Sequence, residues 1–213
     1  MKKWRKPERD PFIRQSALPE GPGEFSYSLP ASDIRYAVTG DFMDRARNHC
    51  ASVCTANLVL YFRNLEQAGK IVKNVRRTRG ELEAMKKEKA LFREAAFANA
   101  YRALGDGPVF RITKTVLREL SDQGIRAEAL GISRKDKSSL LQALHEGMPC
   151  AVLLRISPFN WHWILAVGYR HYENGRTFLQ VSDSWNPRAD RYLELTGGFF
   201  PGIIRITAFR RHK

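Results

Sequence analysis

A thiol, an imidazole and a carboxylate follow one another along this chain in an order that suits covalent catalysis. Cys50 stands at the start of an apolar helical pattern, His162 opens an apolar strand pattern, and Asp183 follows the next strand pattern. A thiol is a weak nucleophile at neutral pH unless a neighbouring imidazole takes its proton and a third group fixes the ring. These groups need to meet only in the fold, so their long separation in sequence is no obstacle.

The position of Cys50 favours it as the nucleophile over Cys54. Asn48 is a suitable N-cap, so Cys50 falls in the first helical turn, where unpaired N–H groups and the positive end of the helix dipole stabilise a thiolate. Cys54 lies one turn further along the helix, where this field is weaker. The alternative is that both are small apolar core residues, as unpaired cysteines often are.

His162 and Asp183 are predicted to meet because their strands form a hairpin. His162 precedes the apolar run at 164–167, and Asp183 follows the strand that returns after the turn at 173–175. An antiparallel hairpin brings these two ends together, so Asp183 can orient the imidazole. A structural histidine and a turn-forming aspartate are the alternatives. The remaining candidates fit less well: Asn186 and Asp190 as the third group, and His49, His145, His171 and His212 as the base.

The elements that must position these residues are helices first and mostly strands afterwards. Helical periodicity begins at residue 48, and a charged helical region covers about residues 67–102 with a break near residues 79–80. The glycine-rich segment at 105–108 is the clearest internal break. Consecutive strands joined by turns indicate an antiparallel sheet and therefore an α+β fold. Later helices are predicted at about 113–123 and 137–146, and strands at 125–130, 150–156, 162–169, 177–182, 191–195 and 203–209.

The first forty residues differ from the remainder of the chain. They contain five prolines and few periodic apolar positions, so residues 1–40 are predicted to form an irregular arm laid over the domain surface. Residues 41–213 are predicted to form one domain, with a helical lobe at about 41–104 and a sheet lobe at about 105–213.

The net charge of +14 permits acidic partners without identifying one. Much of this charge lies in helical stretches that also carry glutamates, which is typical of a solvated helix face. We find no base-reading motif, although a nucleic-acid-associated protein is a third possible class and would bind with steep salt dependence. Neither a phosphate loop nor the paired spacing of a zinc module is present, so we expect no cofactor and no metal.

Three cysteines fit a reducing compartment, and the basic N-terminus continues into a polar segment rather than an apolar leader. No apolar stretch reaches the length of about 20 residues that spans a bilayer. We therefore expect a cytoplasmic protein without a membrane span.

The same residues resemble those of papain-like cysteine peptidases and are most similar to the bacterial branch related to double-glycine leader peptidases. The matching blocks are NHCA at 48–51 with Asn57 seven positions after the cysteine, HWILAVGY at 162–169, and VSDSW at 181–185. The resemblance covers about residues 40–210. It implies a papain-like fold, a helical lobe packed against an antiparallel sheet lobe, with Cys50 as nucleophile, His162 as general base and acid, and Asp183 as the orienting group.

One position departs from the family pattern. The family usually carries a glutamine six positions before the cysteine, where it donates to the oxyanion, and this chain has Asp44 there. An ionised carboxylate cannot donate. Asn48 is the candidate replacement, beside the Cys50 N–H, unless its side chain only caps the helix. The loss of one oxyanion donor costs about 10²–10³ in rate.

The sequence thus predicts a thiol-dependent hydrolase that cleaves a peptide or isopeptide bond through an acyl-enzyme on Cys50. Acyl transfer to an amine would use the same triad. A catalytically silent papain-like module that binds a peptide or protein partner is the alternative from another class, and Asp44 favours it. The basic charge favours acidic substrates or partners.

Overall fold

The computed structural model describes residues 10–20, 25–29, 36–42, 49–70, 79–106, 112–157, 160–195 and 202–212. This described part contains four α-helices and one antiparallel sheet, which confirms the α+β class. The helices are α1 (Cys50–Lys70), α2 (Arg79–Leu104), α3 (Ile112–Asp122) and α4 (Lys137–His145).

The helix boundaries follow the sequence signals except at one point. Residues 67–70, predicted to open the second helical region, instead continue α1, and α2 begins at the predicted break. Gly105 ends α2 as expected of a helix-terminating glycine: its φ is +67°, and its N–H donates to the Tyr101 carbonyl at 2.7 Å.

The strands are β1 (Phe12–Arg14), β2 (Phe25–Ser28), β3 (Ala127–Ile132), β4 (Cys150–Ser157), β5 (Asn160–His171), β6 (Thr177–Ser182), β7 (Arg191–Glu194) and β8 (Ile203–Arg211). Their order across the sheet is β1-β7-β6-β5-β4-β8-β3, and β2 also pairs with β5. β5 is the central strand: β6 pairs along one side, while β4 and then β2 pair along the other.

The described parts of the N-terminal arm are not irregular throughout, in contrast to the prediction. β1 pairs with β7 at the sheet edge, and β2 pairs with β5, with Tyr27 opposite Tyr169. The physical reason is visible in Phe25-Ser26-Tyr27-Ser28, which alternates aromatic and polar residues with the period of a strand. The prolines of this segment lie outside both strands, so they do not interrupt the pairing.

The first half of α1 is buried on all sides, which fixes the end of the helix that carries Cys50. All residues from Cys50 to Phe62 are buried, and the helix contacts β5, α2 and α3. A helix that is apolar all round is stable only where other elements surround it. This packing places the first turn of α1 against β5, the strand that carries His162.

Within the described ranges, no helix combines the length and the apolar character that crossing a bilayer requires.

Gly168 marks the place where two neighbours approach the central strand most closely. A Cβ added there would lie at or within 3.0 Å of the Tyr27 carbonyl oxygen, the Gln180 Oε1 atom and the Ser28 Cα atom. Two of these three atoms belong to main chain, which cannot withdraw as a flexible side chain can.

We therefore expect Gly168→Ala to lower the free energy of unfolding by about 1–3 kcal/mol, the usual cost of overpacking. Urea denaturation measures it. Gly131→Ala in β3 is the matched control, because no atom lies within 4 Å of a Cβ added there. Equal losses in the two variants would contradict the close approach at Gly168.

Candidate active site

Cys50 is the first residue of α1 and lies against β5. Its side chain is 8% exposed, and its Sγ atom lies 4.0 Å from the carbonyl oxygen of Trp161, the residue immediately before His162. The thiol predicted at the head of the helix and the imidazole predicted at the start of a strand are therefore brought to neighbouring positions.

The His162 ring is held by a main-chain carbonyl and an indole. Its Nε2 atom lies 2.6 Å from the carbonyl oxygen of Asp183, and its ring stacks on Trp185 with the centroids 4.4 Å apart and the planes 20° apart. A carbonyl oxygen only accepts, so Nε2 carries the proton of this hydrogen bond. In the neutral ring, Nδ1 is then the nitrogen that can accept a proton.

Burial keeps the imidazole neutral. His162 is buried, and loss of hydration lowers its pKa to about 4, although the hydrogen bond to the Asp183 carbonyl and the charge of Asp10 act in the opposite direction. Burial therefore favours the neutral ring, in which Nδ1 is free to accept a proton, over the imidazolium.

The same burial acts on the thiol and outweighs the helix terminus. Burial raises the pKa of Cys50 above its ordinary value, against the backbone N–H groups of Trp163, Ala51 and Cys50 itself, which lower it. The sequence predicts a stabilised thiolate at this position, whereas the burial of Cys50 favours the neutral thiol. Among the described residues, no hydrogen bond joins Cys50 to His162.

Asp183 reaches His162 as the hairpin predicts, but through its main-chain oxygen rather than its carboxylate. The carboxylate is buried and accepts hydrogen bonds from the N–H groups of Trp185 and Asn186 at 2.9 and 2.8 Å, and from the Asn186 amide at 2.7 Å. Burial raises the Asp183 pKa, while these hydrogen bonds and the charge of Arg191 lower it. The carboxylate stabilises the turn in which the Asp183 carbonyl and the Trp185 ring face His162.

A second set of hydrogen bonds links this turn to α1 through residues 37–39. Ser184, whose φ of 62° is unusual for a residue with a side chain, accepts from the Thr39 N–H at 2.8 Å and from the Thr39 hydroxyl at 3.1 Å. Asn57 in α1 exchanges two hydrogen bonds with the Ala37 main chain and donates to Ser182 Oγ at 3.4 Å. This gives a physical role to the asparagine seven positions after the cysteine.

The other two cysteines are fully buried and are not placed for chemistry. Cys54 donates to the Ile164 carbonyl at 3.5 Å, and Cys150 donates to the Met148 carbonyl at the same distance. Burial raises the pKa of both thiols.

The remaining candidates divide into three groups. His49 makes a structural contact, with Nε2 2.9 Å from the Thr39 carbonyl oxygen. Asn186 supports the Asp183 carboxylate, and Asp190 is exposed to solvent. Asn48 and Asp44, the two residues of the predicted oxyanion site, lie outside the described residues.

The sequence did not identify the residues that are distant from His162 along the chain but pack around its ring. Trp185 belongs to a block that the sequence singles out, but nothing there assigns it to the ring of His162. Phe12 contacts both rings, although its sequence segment predicts an irregular arm. The only available signal was the apolar and aromatic character of Phe12 between two prolines.

Over the described ranges, no group of three or more His, Cys, Asp or Glu side chains is arranged to hold a metal ion. No protein-family model matches the chain, and no curated protein matches it either.

The depressed pKa of His162 predicts an acid-sensitive stability. The unfolded chain takes up the proton near the ordinary value of 6.5, whereas the folded protein does so only near 4, so this stability is complete above pH 6.5 and is lost as the pH falls toward 4. We expect a loss of about 2 kcal/mol at about pH 5. Urea unfolding of the wild type and of His162→Gln measures it, because the difference between their pH profiles isolates the imidazole. Parallel profiles would show that the ring is not held neutral.

The role of the Asp183 carboxylate predicts a large loss of stability on truncation. Asp183→Ala should lower the free energy of unfolding by about 3 kcal/mol, because it leaves three partly buried N–H donors without their acceptor. Asp190→Ala, which removes an exposed carboxylate of the same loop, should stay within about 0.5 kcal/mol of the wild type. Thermal or urea unfolding compares the two, and similar effects would rule out the turn-building role.

Proposed function

We propose that the protein is a papain-like thiol hydrolase that cleaves a peptide or isopeptide bond through an acyl-enzyme on Cys50. The observation that carries this proposal is the position of the Cys50 sulfur at the main chain of Trp161, the residue that precedes His162, whose Nε2 proton is already engaged. The free basic nitrogen of the neutral ring is then Nδ1. An apolar helix that packs its first turn against the histidine-bearing strand supports the papain-like assignment.

The proposed hydrolysis requires the Cys50 S–H group to turn toward His162 before the sulfur attacks. The S–H group turns from the Trp161 carbonyl toward Nδ1 of His162, sulfur attacks the substrate carbonyl carbon, and the imidazole takes the proton. The resulting imidazolium gives that proton to the leaving amine as the carbon–nitrogen bond breaks. Water then attacks the thioester, the imidazole again accepting a proton, and the acid leaves as the thiol is restored.

A second candidate, a catalytically silent papain-like module that binds a peptide or protein partner, is favoured by one observation. Burial raises the pKa of Cys50 and lowers that of His162, so proton transfer from sulfur to nitrogen is uphill in the resting protein. A hydrolase must recover this cost when substrate enters the site, whereas a binding module has no such cost. In either case the charge of +14 favours an acidic peptide.

Alkylation of the folded protein with iodoacetamide near neutral pH should modify Cys50 faster than Cys54 and Cys150. Cys50 is 8% exposed and its sulfur lies 4.0 Å from the carbonyl of the residue before His162, whereas the other two cysteines are fully buried. Mass spectrometry of the three cysteine peptides gives the rates. His162→Gln should slow the modification of Cys50, and Asp190→Ala should leave it unchanged. Equal rates at all three cysteines, or faster modification of Cys54, would refute the assignment of the nucleophile.

A comparison of the wild type with Cys50→Ser distinguishes a hydrolase from a binding module. A library of acidic peptides is incubated with the wild type and with Cys50→Ser, and both cleavage and binding are followed. A hydrolase cleaves only with the wild type and accumulates a thioester adduct on Cys50. Binding that is equal in the two proteins, without cleavage in either, would establish the module instead.

A further inference from the structure

The short strand β1 lies beside the imidazole, although it belongs to the N-terminal segment. Phe12 is 4% exposed, and its ring meets Trp185 edge-on with the centroids 5.4 Å apart. The same ring lies 6.5 Å from the His162 ring. Phe12 therefore packs against the indole that stacks on the imidazole and, at longer range, against the imidazole itself.

A buried arginine holds β1 in this position. Arg191, whose side chain is 7% exposed, forms an ion pair with Asp10 and donates to the Phe12 carbonyl at 2.7 Å. Its Nε atom has no hydrogen-bond partner among the described residues and lies 3.9 Å from a carboxylate oxygen of Asp183. One guanidinium thus connects the N-terminal segment to the residue that orients His162.

The two faces of β1 have different surroundings. Phe12 faces His162 and Trp185, whereas Ile13 packs against a separate cluster formed by Leu18, Tyr172, Phe178 and Tyr192. Because side chains alternate along a strand, Ile13 lies on the opposite face of β1 and does not contact the site. A substitution at Ile13 therefore removes an apolar contact outside the site, while the Asp10–Arg191 ion pair and the hydrogen bond from Arg191 to the Phe12 carbonyl still hold Phe12 in place.

We propose that Phe12 is a positioning residue for His162: it fixes Trp185 on the imidazole and excludes water from the hydrogen bond between His162 Nε2 and the Asp183 carbonyl. The Asp10–Arg191 ion pair keeps Phe12 in place. This extends the proposed function, since a ring with a fixed Nε2 proton presents Nδ1 to the Cys50 thiol. The functional unit then begins at Asp10 and not near residue 41.

The state of the hydrogen bond can be read directly in the full-length protein by nuclear magnetic resonance. The Nε2 proton of His162 should exchange slowly with water in the wild type. In Phe12→Val, which keeps a residue that suits a strand but removes the ring, its exchange should be faster by about tenfold or more. Phe12→Leu should restore most of the protection, because it refills the apolar volume. Ile13→Ala should leave the exchange rate unchanged.

Alkylation of Cys50 supplies the second measurement on the same variants. Phe12→Val should slow it by about two- to tenfold, the effect of losing one orienting hydrogen bond, while Ile13→Ala should not. Circular dichroism verifies folding. If Phe12→Val does not fold, Asp10→Asn gives the same pair of measurements with smaller changes, since it releases β1 without opening the core.

The outcomes separate the two proposals. Unchanged Nε2 proton exchange in the folded Phe12 variants, or equal acceleration in Ile13→Ala, overturns the positioning role. Faster exchange in Phe12→Val but not in Ile13→Ala supports it. If this occurs while Cys50 is unreactive even in the wild type, Phe12 still positions His162, and the proposed hydrolase is wrong.

Discussion

The orientation of His162 depends on the hydrogen bond from its Nε2 atom to the Asp183 carbonyl, and the surrounding residues hold that carbonyl in place. A carbonyl oxygen can only accept, so a single contact fixes both the orientation of the ring and the nitrogen that carries its proton. The carbonyl must therefore be held still, and the Asp183 carboxylate does this by accepting from the next turn. Thr39 binds the Ser184 carbonyl in that turn, and Asn57 of the helix that carries the thiol binds the nearby Ala37 main chain and donates to Ser182 at the end of β6.

Burial gives the site its order and at the same time limits its reactivity. Water is excluded from the ring and the sulfur, which strengthens the hydrogen bonds that hold them. The same loss of hydration favours the neutral forms, so the pKa of His162 falls and that of Cys50 rises. Three backbone N–H groups near the sulfur do not reverse this effect. In this site desolvation outweighs the helix terminus, which is the opposite of the balance that the position of Cys50 in sequence suggests.

Features set by local pattern could be predicted from the sequence, and those set by main-chain direction or distant pairing could not. β6 occupies its predicted residues because its apolar run is bounded by turn residues, and the hairpin alone places Asp183 near His162. Nothing in the sequence shows that the carbonyl of Asp183, rather than its carboxylate, faces the ring, since this depends on the left-handed conformation of Ser184. The contact of Phe12 depends on pairing between β1 and β7, which lie at opposite ends of the chain.

The Asp183 carbonyl that orients His162 carries no net charge, so it cannot stabilise an imidazolium as a carboxylate would. In Ser-His-Asp sites the carboxylate that orients the ring also stabilises the imidazolium formed during attack. Here a carbonyl orients the ring, and the Asp183 carboxylate is committed to its own turn and faces Arg191. The negative charge that raises the pKa of His162 comes instead from Asp10. If the proposed hydrolysis passes through an imidazolium at His162, Asp10 is the carboxylate whose charge favours that state, and its ion pair with Arg191 offsets part of this effect.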